Sequence, residues 1–83
     1  MENLTIKTGV SGSLFGFFNV NGQDYCAAVS EIPFLDYRTE CTIFKCKGMD
    51  LTDSTPVYSK KHAPVTLASL RQCVSEFVGA LLW

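Results

Sequence analysis

Alternating apolar and polar residues dominate the N-terminal part of the chain, and a period of two is typical of half-buried β-strands. Leu4–Val10 predicts a first strand, and Ser13–Val20 and Gln23–Ser30 predict two more. The dipeptide Asn21-Gly22 joins the last two segments. Both central residues of a type I′ turn need a positive φ, which Asn and Gly adopt readily. We therefore predict a β-hairpin with its turn at Asn21-Gly22.

The two-residue loop determines which residues of the hairpin lie opposite one another. It places Phe18 opposite Tyr25, and Phe17 opposite Cys26. Because side chains alternate between the faces of a sheet, the hairpin acquires two apolar faces, whereas a half-solvated hairpin is polar on one side. One face carries Leu14, Phe18, Val20, Tyr25 and Val29, and the other carries Phe15, Phe17, Cys26 and Ala28.

The alternation stops at Pro33, which cannot donate a hydrogen bond within a central strand. We expect Ile32–Tyr37 to form a loop or a short helical turn, with Phe34 and Leu35 against an edge of the core. The segments that follow are expected to form a strand (Thr39–Lys47), a polar loop (Gly48–Pro56) and a short edge strand (Val57–Ser59).

The C-terminal segment has the spacing of an amphipathic helix from about Thr66 to Leu82. Thr66 is a suitable N-cap, and Pro64 lies just before it. We predict that the helix packs on the sheet through Leu70, Val74, Phe77 and Leu81. The sequence thus predicts a single α+β domain over residues 1–83: an antiparallel β-sheet of four to five strands with one C-terminal amphipathic α-helix packed on one face.

Composition excludes several classes of protein. The chain has 83 residues, of which 47% are hydrophobic and 18% are charged, and its formal net charge is −1. A disordered chain needs low hydrophobicity and high net charge, and attraction to phosphate backbones or anionic membranes needs an excess of basic residues. The sequence shows neither a secretory signal pattern nor an apolar run of about 20 residues. We therefore expect a cytoplasmic protein without membrane contact.

The cysteines are the candidates for metal binding or disulfide formation: Cys26, Cys41, Cys46 and Cys73. Cys41 and Cys46 form a C-x4-C pair, to which two more ligands, such as His62, would have to be added for a zinc site. Structural zinc sites usually repeat a tighter C-x2-C spacing, and strand residues five apart lie on opposite faces. Cytoplasmic disulfides are rare. We predict buried, reduced thiols, with no metal and no cofactor.

The aromatic segment Leu14–Val20 suggests an alternative function. Its sequence, Leu-Phe-Gly-Phe-Phe-Asn-Val, resembles the Gly-Phe-Gly-Phe strand of cold-shock domains and the aromatic strand of RNA-recognition modules. The resemblance covers about seven residues and implies that Phe15–Phe18 stacks on the bases of a single-stranded nucleic acid. The hairpin has no Lys or Arg to contact phosphates. Nucleic-acid binding is therefore the second hypothesis.

Catalysis has little support in the sequence. The single histidine, His62, follows Lys60 and Lys61 in a predicted connector. No nucleophile, carboxylate pair or glycine-rich phosphate loop stands in a recognisable arrangement with it. We interpret Lys60-Lys61-His62 as a solvated connector and predict a protein that is not an enzyme.

A protein-binding module is the function that these observations favour. One helix can cover only one face of the hairpin, which leaves the face of Phe15 and Phe17 for a host protein or a second copy. Tyr37 and Trp83 are further candidates for this interface, since aromatic residues are enriched at protein contacts. By its small size and near-neutral charge, the chain resembles phage or mobile-element inhibitors of host defence, including anti-CRISPR proteins. A structural subunit that only homodimerises is the third hypothesis.

Overall fold

A computed structural model describes residues 4–9, 12–32 and 38–82 of the chain. Five strands and one helix follow one another: β1 (Thr5–Thr8), β2 (Leu14–Val20), β3 (Gln23–Ile32), β4 (Arg38–Lys47), β5 (Asp50–Lys61) and α1 (Leu67–Leu81). Each strand pairs antiparallel with the next, so the order in the sheet is the order along the chain. The helix packs against one side of the sheet, which confirms the predicted α+β fold.

The hairpin between β2 and β3 has the predicted turn and register. Asn21 and Gly22 both adopt positive φ, 52° and 86°, as a type I′ turn requires. Phe18 lies opposite Tyr25, and Phe17 lies opposite Cys26. The rings of Phe18 and Tyr25 stack with their centroids 5.5 Å apart, so the two side chains share one face. The short-range turn signal was therefore sufficient to determine the pairing of this hairpin.

The start of α1 agrees with the prediction, and one of its predicted contacts is wrong. Thr66 is the N-cap, and its Oγ1 accepts a hydrogen bond of 3.1 Å from the Ser69 backbone N–H. The helix buries Leu70, Cys73, Val74 and Phe77. Leu81, expected on the sheet, is instead 44% exposed. All described residues after position 78 are exposed, so the last turn of α1 extends beyond the core.

The predicted polar loop Gly48–Pro56 is wrong, whereas the predicted edge strand Val57–Ser59 is confirmed as part of a longer strand beside β4. Only Gly48 and Met49 form the turn, and β5 then runs for 12 residues beside β4. Its side chains are mostly exposed because it lies at the edge of the sheet. β5 is held in the sheet by backbone pairing with β4. Because few of its side chains are buried, its sequence does not show the apolar alternation that identified the other strands.

The remaining differences concern segment ends. The first strand is shorter than predicted, because β1 ends at Thr8, and Val10 lies outside the described residues. β3 continues to Ile32, two residues beyond the predicted end. The expected connector over Ile32–Tyr37, including Phe34 and Leu35, lies outside the described residues from position 33 onward.

The side of the sheet that meets α1 is the covered face, and it holds the main core. From the sheet it contributes Leu14, Gly16, Phe18, Tyr25, Ala27, Val29, Cys41 and Ile43. Gly16 permits close approach of the helix, since a Cβ there would lie 3.2 Å from Leu70 Cδ2 and 2.9 Å from Leu4 Cδ1. Among the described residues, no helix lies on the opposite side of the sheet.

Candidate functional site

The side of the sheet opposite α1 carries a second apolar surface, which we call the open face. It consists of Phe15, Phe17, Cys26, Ala28 and Phe44. Register places Phe17 of β2 and Phe44 of β4 on either side of Cys26, while Phe15 lies opposite Ala28. β2 and β4, with β3 between them, thus bring three phenylalanine rings to one side of a single sheet.

Burial on the open face differs from burial in the core. Cys26 has no exposed surface, although the helix lies on the other side of the sheet. Phe15, Phe17 and Phe44 are half-buried, so each ring presents part of its surface to the outside. Among the residues that the structure describes, no helix or strand lies across these rings. The open face is therefore an apolar surface with a dry centre and accessible rings.

Phe15 is held in place by the end of β1. Its ring lies directly against Gly9, where the Cβ of any other residue would overlap the ring. The backbone N–H of Gly9 donates to the Ser13 carbonyl over 2.6 Å. Lys7 lies opposite Phe15 on β1 and is exposed. This side of the open face therefore has a basic residue at its border.

Asp24 joins the two turns at one end of the open face. Its Oδ1 accepts a hydrogen bond of 2.8 Å from Asn19 Nδ2, and its Oδ2 accepts one of 2.7 Å from the Gly48 backbone N–H. Both hydrogen bonds lower the pKa of the Asp24 carboxyl, and the bond from Asn19 has the larger effect. A shallow cleft of about 200 Å³ lies here, between Phe17, Asp24 and the exposed Met49. Asp24 therefore fixes the geometry at this end of the surface.

The charges around the open face are mixed. Glu40 and Lys61 lie opposite each other on β4 and β5, and Lys7 and Asp24 border the aromatic residues elsewhere. Acidic and basic residues therefore alternate around the rings. A border of this kind favours a partner with both signs of charge over a polyanion.

The structure places two of the four predicted interface residues and leaves two outside its description. Phe15 and Phe17 lie on the open face, while Tyr37 and Trp83 are among the residues that are not described. Phe44 was missed. Its neighbour Ile43 is fully buried on the covered face, so alternation along β4 places Phe44 on the open face. β4 was predicted as a strand, but its register with β3 was not. That register depends on the connector between the two strands, and the sequence does not specify the geometry of the connector.

The cysteines occupy both faces and are all buried, as predicted. Cys41 faces the helix and Cys46 lies on the other side of the sheet, which confirms their opposite orientation. Burial, with a smaller contribution from Cys46, raises the pKa of the Cys26 thiol to about 12. Burial, followed by the nearby Asp24 and Asp50, also raises the pKa of Cys46. The thiols of the open face are therefore protonated and poorly nucleophilic at neutral pH.

Cys41 and Cys73 form a separate thiol pair between β4 and α1. Both thiols are fully buried in the same core cluster. The neighbouring Cys73 thiol and burial together raise the pKa of Cys41. Lys60 Nζ lies 2.7 Å from Glu76 Oε1.

His62 has a conformational role in the turn between β5 and the helix. It adopts a positive φ of 63°, and its backbone N–H donates to the Thr39 carbonyl over 2.8 Å. Within the described ranges, no three His, Cys, Asp or Glu side chains are close enough together to hold a metal ion.

Comparisons with known proteins identify no family. No protein-family model matches the chain, and no curated protein or solved structure matches it significantly. Crossing a bilayer takes about 20 apolar residues. In the part of the chain that the structure describes, no helix combines the necessary length and apolarity.

Proposed function

We propose that this protein is a non-enzymatic binding module that contacts a partner protein through the open face. The observation that carries the proposal is the group of half-buried rings, Phe15, Phe17 and Phe44, around the dry centre at Cys26. Contiguous apolar patches larger than roughly a few hundred Å² are uncommon on isolated proteins and usually mark a contact.

The construction of the open face suits protein recognition. Aromatic residues at the centre of an interface commonly supply most of the binding free energy, and a polar border completes the contact. Here the rings stand on paired strands, and the Asp24 hydrogen bonds tie the two adjacent turns together. A surface held in its binding conformation loses little conformational entropy on association.

A more specific form of the proposal is inhibition of host defence by a phage or mobile-element protein, in the manner of anti-CRISPR proteins. Its support is the small size of the chain, its net charge of −1 and an apolar surface suited to occupying a partner. Expression of the chain in cells with active CRISPR interference should restore phage plaque formation. Plaque counts that stay at the level of the empty vector would contradict this form while leaving protein binding intact.

Single-stranded nucleic-acid binding is the second candidate. Aromatic rings on one sheet face are the arrangement on which RNA-recognition modules stack bases, and no described helix or strand covers Phe15, Phe17 and Phe44. However, Phe18 of the aromatic segment lies in the core, and the charges that border the rings have both signs. Binding to a phosphate backbone should weaken steeply with added salt, whereas a mainly apolar protein contact should persist. A salt titration of the captured complex separates the two functions.

The decisive variant is Phe17→Asp, which places a charge among the rings without entering the covered face. We expect it to remain folded by circular dichroism and to lose partner capture or self-association. Leu82→Asp is the matched control, because Leu82 is an apolar residue at the far end of α1 and is 63% exposed. That variant should fold and bind like the unchanged protein.

Two results would overturn the proposal. If Phe17→Asp unfolds the chain while Leu82→Asp does not, the open face is an internal part of the core. If Phe17→Asp folds and binds as before, the contact lies on another surface. A further variant, Phe44→Asp, tests whether the rings on β2 and β4 act as one surface, since both substitutions should then abolish the same contact.

A further inference from the structure

We propose that two copies of this chain associate through β5, whose outer edges pair antiparallel and continue the sheet from one copy into the other. β5 lies at the edge of the sheet, and β4 is its only strand neighbour among the described residues. The two-fold axis of such a pair stands perpendicular to the sheet, so both open faces stay uncovered by the contact and point the same way. The proposal is therefore separate from the binding function of the open face.

The last part of β5 directs backbone polar groups outward. Just after the strand, the His62 N–H donates to the Thr39 carbonyl over 2.8 Å, so these two residues form a hydrogen-bonded pair. Hydrogen-bonded and non-hydrogen-bonded pairs alternate along an antiparallel ladder. Lys61 and Ser59 therefore turn their N–H and C=O groups away from β4, and both residues are exposed. These groups can pair with a further strand.

The charges of β5 favour a second copy as that strand. Asp50 and Asp53 lie in the first part of β5, and Lys60 and Lys61 are its last two residues. Antiparallel self-pairing brings the acidic beginning of one strand beside the basic end of the other, and the two-fold axis repeats this contact at both ends. Parallel pairing would place like charges together, which is unfavourable. Charge complementarity therefore favours a second copy in antiparallel orientation.

The side chains of Asp53 and Lys60 lie on the same side of the sheet. Lys60 Nζ is 2.7 Å from Oε1 of Glu76, so it lies on the side of α1. Asp53 lines a cleft with Lys45, which is two residues beyond the buried Ile43 and faces the same side. An ammonium group has three N–H donors, so Lys60 can bond to Glu76 and to a carboxylate of the second copy at once. We therefore infer the register in which Asp53 lies opposite Lys60 of the second copy.

The centre of the contact in this register is apolar. Pro56 lies opposite Val57 of the second copy, and the two-fold axis repeats this pair. Both residues are exposed, Val57 by 44%. Pro56 has no N–H, and Val57 is an extra residue against β4, so the new ladder is confined to the segments on either side. Such interruptions limit pairing with unrelated strands. An apolar centre with charged ends is typical of protein interfaces.

Sedimentation of the full chain from micromolar to millimolar concentration tests the proposal. We expect the unchanged protein to reach a dimer and no larger species. Asp53→Lys and Lys60→Asp should each stay folded by circular dichroism and weaken dimerisation about tenfold or more, because each places like charges together at both ends of the contact. Lys7→Glu, a charge reversal on the opposite edge strand β1, is the matched control and should dimerise like the unchanged protein.

Mixing the two weakened variants is the most specific test. In Asp53→Lys both positions are basic, and in Lys60→Asp both are acidic. Each variant therefore repels its own copies, but an antiparallel pair of one with the other has two attractive contacts. An equimolar mixture should recover dimers that contain one chain of each kind, which native mass spectrometry identifies by their mass.

Three results would overturn the proposal: an unchanged protein that stays monomeric at every concentration, single variants that dimerise as before, or a mixture that stays monomeric. Association that grows beyond a dimer would also contradict it and would indicate pairing of β5 with β1 of the next copy. Self-association that is lost in Phe17→Asp and kept in Asp53→Lys would assign the contact to the open face. The two proposals can therefore fail separately.

Discussion

The covered and open faces belong to the same five-stranded sheet, yet they differ in how their apolar side chains are packed. Phe17 and Phe18 are consecutive residues of β2, and both lie opposite residues of β3. Phe18 is 3% exposed, whereas Phe17 is half-buried. The side chains are identical, so the difference shows that coverage by the helix, and not residue type, decides which face becomes core.

Phe77 of α1 is the residue that buries Phe18 on the covered face. Its ring lies 5.0 Å from that of Tyr25, 5.7 Å from that of Tyr58 and 6.2 Å from that of Phe18, measured between centroids. It closes a four-ring cluster with edge-on and tilted contacts, which are favourable for aromatic pairs. On the open face, Phe17 and Phe44 flank Cys26, and no described residue takes the place of Phe77.

Removing the Phe77 ring is the strongest test of the difference between the two faces, because it exposes the side chains of the covered face. Phe77→Ala should lower the free energy of unfolding by about 3–5 kcal/mol, the usual range for a buried aromatic ring. Chemical denaturation measures this change. Leu81→Ala, one turn further along α1 and exposed, is the control and should change the stability by less than about 1 kcal/mol. Equal losses for Phe77→Ala and Phe17→Ala would show that the two faces are packed alike.

A smaller change tests how closely α1 approaches β2. The added methyl group of Gly16→Ala would lie 2.9 Å from Leu4 Cδ1 and 3.2 Å from Cδ2 of the fully buried Leu70, so it would crowd both side chains. We expect a loss of about 1–2 kcal/mol, observed as a lower denaturation midpoint. Gly79→Ala is the matched control, since a Cβ there meets nothing within 4 Å. That variant should stabilise the helix by about 0.5–1 kcal/mol, and a stabilising Gly16→Ala would contradict the close approach.

The helix cap tests whether the covered face depends on the stability of α1 itself. Thr66→Ala removes the acceptor for the Ser69 N–H and should cost about 1 kcal/mol in the free energy of unfolding. Thr66→Ser, which keeps the hydroxyl, should stay close to the unchanged protein. If both variants lose the same stability, the hydrogen bond of the cap is not the cause.

The smallest predicted effect concerns Asp24 at the end of the open face, and it depends on pH. Hydrogen bonds lower the pKa of Asp24 in the folded protein, so its ionised form stabilises the fold above the ordinary aspartate pKa of about 3.9. This contribution is lost as the pH falls through the lowered folded value. Asp24→Asn should therefore have a lower melting temperature than the unchanged protein at pH 7. The difference in melting temperature should become smaller as the pH falls toward about 2. A constant gap in melting temperature would mean that ionisation of Asp24 does not matter.

Prediction from the sequence succeeded where the relevant interactions are local. The turn at Asn21-Gly22 and the cap at Thr66 depend on residues a few positions apart, and both were identified from the sequence. The failures have a common cause. β5 is a strand because β4 lies beside it, and Leu81 is exposed because the core ends before the last turn of α1. Neither fact is contained in the local pattern of apolar residues.

The sequence by itself determined the α+β fold, the register of the first hairpin and the separation of Phe17 from Phe18, because strand alternation and turn chemistry act over short distances. Only the tertiary structure decided that Phe44 joins Phe15 and Phe17, and that Cys41 and Cys73 share one core cluster. Both groupings unite residues far apart along the chain. They follow from the register of β3 with β4 and from the placement of α1, which depend on how the whole core is filled.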